Sequence, residues 1–146
     1  MAIPSTGRLL ALDWGEVRIG VAVSEETQLI ASPRATLTRR AGKRFPMPAF
    51  LALIDAEQPV GLIVGLPLTA DGSEEAAARS ARAMGTLAAA RAGLPLEFVD
   101  ERFSTARALG VIREMDGSTR GRKQDVDALA AAVLLQHYLD MRRNLA

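Results

Sequence analysis

An α/β fold on one mixed five-stranded sheet, with helices on both faces, is predicted by three observations. Two strand-like runs, residues 9–14 and 18–24, stand on either side of a turn at Gly15. Two later runs, residues 60–67 and 96–101, have strand character and alternate with helical periodicity. The resulting order, βββαβαβα, joins an antiparallel opening to crossover units, which parallel pairing requires.

Each element has a local reason. The first strand, LLALDW, is apolar up to Asp13. The second alternates Ile19, Val21 and Val23 with Arg18, Gly20, Ala22 and Ser24, the period of a half-buried strand. A third strand is expected over residues 30–38, weakened by Pro33. A helix over 48–57 presents Phe50, Leu53 and Ile54 and is stopped by Pro59. The fourth strand, VGLIVGLP, is apolar without alternation, as befits a strand covered on both faces. Asp71 and Glu74 then resemble a capping box. An Ala-rich helix runs to Arg91 with Ala77, Ala81, Met84 and Ala88 on one side, and Gly93 and Pro95 end it. The fifth strand follows over 96–101. Ser104 caps a further helix striped by Ala108, Ile112 and Met115, and Asp116-Gly117 breaks it. The last helix is expected over 126–141, striped by Val126, Leu129, Ala130, Val133, Leu134, His137, Tyr138 and Met141.

Composition narrows the chemistry. The 146 residues suit one domain with a true core, and 49% apolar against 24% charged residues is a globular balance. With no cysteine, disulfides, thiolate zinc sites and cysteine nucleophiles are excluded. A single histidine, His137, removes His-rich metal sites and argues against a Ser-His-Asp triad. No apolar run spans a membrane, and MAIPSTGR lacks the layout of a signal peptide, so a cytoplasmic protein is expected. Two segments are basic and free of acids. One holds Arg34, Arg39, Arg40, Lys43 and Arg44; the other holds Arg120, Arg122 and Lys123. On a chain of net charge +1 they suggest an anionic partner, although a solvated loop explains either one alone.

Acids border apolar sequence at element ends. Asp13 ends the first strand, Asp100-Glu101 ends the fifth, and Asp127 lies in the first turn of the last helix. Sites in such sheets form at the carboxyl ends of strands. A carboxylate in apolar surroundings is costly without a partner, and a divalent cation is one solution. Two-metal phosphodiester hydrolysis uses several carboxylates around ions about 3.5–4 Å apart, one ion activating water and the other stabilising the leaving oxygen. Asp100 and Glu101 point to opposite faces, and parity alone does not choose between them. Asp125 and Asp127 also suit a helix N-terminus by charge, so capping and metal binding both stand. His137 reads as a packed or half-exposed residue rather than a ligand.

Four segments, DWGEVRIGVAVS, IVGLPLTADGSE, VDERFST and KQDVDALAAAVLLQHYL, in this order and spacing, resemble the YqgF or RuvX family. That family is known both as Holliday junction resolvases and as pre-16S ribosomal RNA nucleases. The first segment alone also resembles the phosphate-binding hairpin of sugar kinases and actin-like ATPases. The resemblance covers nearly the whole chain and implies an RNase H-like fold. It places the acidic set on Asp13, Glu101 and Asp127, preferring Glu101 to Asp100. Two departures, Val17 where a polar residue is common and Thr69 where Asn is frequent, leave the acids untouched.

The expected activity is a metal-dependent endonuclease using Mg2+ or Mn2+, with water attacking in line. Asp13 would bridge two ions, and Glu101 and Asp127 would each complete one shell. Arg18 would contact a phosphate or pair with Glu16 or another acid. Arg102, Ser104 and Thr105 would line the substrate groove, Ser104 having a sufficient role as a cap. Gly65 and Pro67 would shape a turn beside the site. Arg120 and Arg122 supply charge, and Lys123 would orient a phosphate or the attacking water, or face solvent. With one Trp, one Tyr and four Phe, recognition by shape fits better than base stacking. The substrate is branched DNA, precursor rRNA or both. Symmetric cuts at a junction would need a twofold homodimer; rRNA trimming would not. A non-catalytic nucleic-acid-binding module is the alternative. An ATP-binding fold of the actin type would need a second domain and phosphate loop for which 146 residues leave no room.

Overall fold

The computed structural model describes residues 2–15, 17–39, 44–67, 76–100 and 123–145. Five strands, β1 (Leu9–Asp13), β2 (Arg18–Ser24), β3 (Ala31–Thr38), β4 (Gly61–Leu66) and β5 (Leu96–Asp100), form one sheet in the order β3-β2-β1-β4-β5. The β1–β2 and β2–β3 pairs are antiparallel, whereas β4 runs parallel to β1 and β5 parallel to β4. The mixed sheet is thus the predicted one. Pro33 is accommodated because β3 is an edge strand and the ladder shifts register between Val21 and Ala22, opposite it.

Helices α1 (Met47–Glu57), α2 (Ala76–Ala92) and α3 (Lys123–Leu145) complete the described elements. Parity of the strands divides the core in two. Leu10, Leu12, Val21, Leu62 and Val64 pack with Phe50 of α1 and Ala81 and Ala88 of α2. Leu9, Ala11, Ala22, Ile63 and Val99 point the other way, onto Ala131, Leu134, Leu135, Tyr138 and Leu139 of α3. Helix α1 ends at Gln58 in the left-handed region, whose N–H bonds the Ile54 carbonyl, with Pro59 next. The capping box at Asp71 and the helix after Ser104 lie outside the described residues.

Two helical faces differ from expectation. On α2 the buried positions are Ala78, Ala81, Gly85, Ala88 and Ala89, and Ala77 is exposed. On α3 the helix begins at Lys123 rather than at Val126, and its buried face is turned. Leu129 and Met141 are exposed, whereas Asp127, Ala131, Leu134 and Tyr138, spaced four, three and four apart, lie inside. Alanine is the reason. Four of the five residues from Ala128 to Ala132 are Ala and all four are buried, so the closest packing falls where side chains are smallest. In this first part of α3 the large apolar residue, Leu129, therefore does not mark the inner face.

Candidate active site

The carboxyl end of β1 carries Asp13, only 3% exposed. Its neighbour across the antiparallel pair is Gly20 and across the parallel pair is Gly65. Directly opposed residues share a face, so Asp13 lies on the α3 side with Leu9 and Ala11. The two positions paired with Asp13 are thus both glycine, a strand feature associated with close approach of backbone or ligand.

At Gly20 the approaching group is backbone. A Cβ built there would stand 1.9 Å from the Asp127 carbonyl oxygen and 2.5 Å from its carbon. Glycine therefore lets α3 settle onto β2, and this contact sets Asp127 beside the strand position that pairs with Asp13. Asp127 is fully buried and heads the inner stripe of α3. The Nε of Arg18, which shares the face of Gly20 on β2, donates to Asp127 Oδ2 at 2.7 Å. This charge-assisted bond joins residues 109 apart in sequence. Of the two readings of Arg18, pairing with an acid is what the geometry shows. Capping does not account for Asp127: with α3 starting at Lys123, it is the fifth helical residue, past the first turn, and its carboxylate meets Arg18.

The phase of β5 fixes the face on which Asp100 falls. Glu97 accepts a hydrogen bond from the Tyr138 hydroxyl on α3 at 2.7 Å, and Val99 belongs to the α3-side core. Leu96 and Phe98 pack on the α1/α2 side. Asp100 follows their parity and falls on the face away from Asp13 and Asp127. Glu101, Arg102, Ser104, Thr105, Arg120 and Arg122 lie outside the described residues, and Lys123 opens α3. Among the described residues, no three acids or histidines form a metal cluster. His137 is exposed and lines a groove of about 350 Å3 with Glu97, Val99, Tyr138 and Met141. Ten residues along α3 place it about 15 Å from Asp127, so it is no partner of the acids. Burial, then the bond to Glu97, raises the Tyr138 hydroxyl above the ordinary phenol range.

The basic segment after β3 contributes Arg39 and Arg44. Arg39 stacks over Trp14 at 4.5 Å from the ring centre and donates to the Gly15 carbonyl, bracing the turn that follows Asp13. Trp14 in turn stacks on Phe45. Sequence reasoning did not single out Gly20. Its signal was a glycine between Ile19 and Val21 inside a strand.

Residues 7–141 match the model of the RuvX family, described as Holliday junction resolvase. The chain belongs to this nuclease family. A Paracoccus denitrificans relative named "Putative pre-16S rRNA nuclease" is 40% identical to this RuvX chain, over 99% of it and 90% of the relative. One from an Anaeromyxobacter species, bearing the same name, is 44% identical over 92% and 98%. Among solved structures, Thermus thermophilus RuvC in complex with a Holliday junction substrate superposes with a TM-score of 0.56 at 16% identity, covering 93% of this chain and 96% of that one. That similarity shows a common RNase H-like fold. The matched span contains Asp13 and Asp127.

Proposed function

We propose that this chain is a divalent-metal endonuclease that hydrolyses phosphodiester bonds in structured nucleic acid, with Asp13, Glu101 and Asp127 as its carboxylates. The observation that carries the reading is that Gly20 is both the ladder partner of Asp13 and the residue on which the Asp127 backbone rests. Both carboxylates are buried, and the set offers oxygen alone, which fits a hard cation such as Mg2+ or Mn2+. Exclusion of Asp100 by strand parity supports Glu101 as the third acid. A cation held by these residues supplies Lewis-acid activation of water and neutralises charge at the phosphate.

The chain's own groups do the remaining work. Gly20 and Arg18 set the position of Asp127. The basic segments with Arg39, Arg44, Arg120, Arg122 and Lys123 attract the phosphate backbone, an attraction that weakens with salt. Arg102, Ser104 and Thr105, which follow Glu101 in sequence, are assigned to substrate contact. The natural substrate is a four-way DNA junction or the precursor of 16S rRNA, in the cytoplasm; a junction would be cut by a homodimer.

The test sets a labelled four-way junction beside a precursor 16S rRNA fragment, with Mg2+, Mn2+ or EDTA, using wild type and Asp13→Asn. Metal-dependent cutting by wild type that is lost in the variant is expected, and the preferred substrate identifies the pathway. Binding without cutting in any metal, equal in both proteins, would instead favour a non-catalytic module.

A further inference from the structure

We infer that Arg18 is a positioning residue whose guanidinium and a divalent cation are alternative partners of the Asp127 carboxylate, so that Arg18 sets how readily the site takes up metal. The inference rests on the metal reading proposed above. It starts from a conflict between two roles. Asp127 is fully buried, and its Oδ2 is the acceptor of a 2.7 Å bond from Arg18 Nε. A cation bound through that oxygen would face a fixed positive charge at hydrogen-bonding distance. The two positive groups repel each other most strongly where water is excluded.

Arg18 has the means to give way, and Asp127 does not. The Asp127 backbone is pinned against Gly20, with no room there for even a methyl group. The Arg18 side chain keeps 24% of its surface exposed, against none for Asp127. It stands at the first residue of β2, beside the turn, on a long side chain with several rotatable bonds. Without metal, Arg18 pairs with this buried charge. With metal, the cation takes that place, and the arginine is displaced toward the open end of the strand. Arg18 thus keeps Asp127 oriented while lowering the affinity of the site for cations.

The test measures Mn2+ binding to metal-free protein by electron paramagnetic resonance of the free ion, for wild type, Arg18→Gln, Arg18→Lys, Asp13→Asn and the Asp127→Asn and Arg18→Gln/Asp127→Asn pair. Arg18→Gln is expected to bind Mn2+ about tenfold more tightly than wild type, the scale of one charge-assisted hydrogen bond. Arg18→Lys, which keeps the charge, should stay close to wild type. Arg18→Gln should have no effect once Asp127 is Asn. Equal or weaker binding by a folded Arg18→Gln would overturn the inference and leave Arg18 as a structural brace. A measurement on wild type alone guards against a variant that fails to fold. The Arg18 Nε–H resonance should be protected from exchange in metal-free protein and lose that protection when Mg2+ is added; protection that survives saturating Mg2+ overturns the inference. Failure of wild type to bind Mn2+ at all would overturn the metal reading first. Binding that is abolished by Asp13→Asn but indifferent to Arg18 would overturn this inference alone.

Discussion

Replacing Gly20 by alanine tests the packing that brings the acids together. The added methyl would stand 1.9 Å from the Asp127 carbonyl oxygen, where ordinary contact begins near 3.4 Å. The obstacle is helix backbone, so no side-chain rotation relieves it. Either α3 backs away from β2 by about 1.5 Å at Asp127, or the strand bends. Overpacking of a filled core costs about 1–3 kcal/mol, and a backbone clash belongs at the upper end. For a chain of this size about 3 kcal/mol lowers Tm by roughly 6–12 °C. The same displacement moves Asp127 away from Asp13, and a misplacement of about 1 Å at a catalytic group can lower the rate about 100-fold. Thermal unfolding followed by circular dichroism reads the first effect. Cleavage at a temperature where the variant is fully folded reads the second. A Gly20→Ala protein with wild-type Tm and wild-type cleavage would refute the argument that α3 rests on β2 at this glycine.

Three other perturbations have defined outcomes. Tyr138→Phe removes the hydroxyl that donates to Glu97 and should cost about 0.5–1.5 kcal/mol in urea unfolding, with cleavage unchanged. Because the folded state holds this hydroxyl above its ordinary value of 10.0, its contribution is full below pH 10 and is lost as pH rises beyond it; the alkaline fall in wild-type stability should be shallower in Tyr138→Phe. Arg142 donates to the carbonyls of Ile3 and Pro4 and to the Gln28 side chain, so Arg142→Ala should detach the N-terminal segment and lower the free energy of unfolding by about 1–3 kcal/mol, again sparing cleavage. Arg44→Ala, at an exposed cation of the first basic segment, should weaken binding equally across nucleic-acid sequences and reduce the salt slope by about one, as fluorescence anisotropy at several salt concentrations would show.

The sheet was legible because its signals are local. An apolar run ending in Asp13, a strict alternation in β2 and an apolar β4 each announce their element without help from distant sequence. Asp13 was legible for the same reason. Asp127 was found as an acid, but its role as the head of the inner stripe of α3 was not. The Ala-rich stretch around it gives little contrast between faces, and the polar residues Lys123, Gln124 and Asp125 read as loop although the helix already includes them. The pairing of Arg18 was out of reach because its partner stands 109 residues away. The face taken by Asp100 needed the phase of β5, which the Tyr138–Glu97 bond supplies and composition does not. Where a property depends on contacts between distant elements, residue patterns name the candidates and the packing selects among them.

In the proposed function, Asp13 and Asp127 hold divalent metal on the α3 face of the sheet. Anomalous diffraction from crystals soaked in Mn2+ tests it most directly. A peak is expected within bonding distance of carboxylate oxygens of both Asp13 and Asp127, lost from Asp13→Asn crystals. Saturating Mn2+ that leaves these two carboxylates without a peak, while the crystals retain the fold, would contradict it.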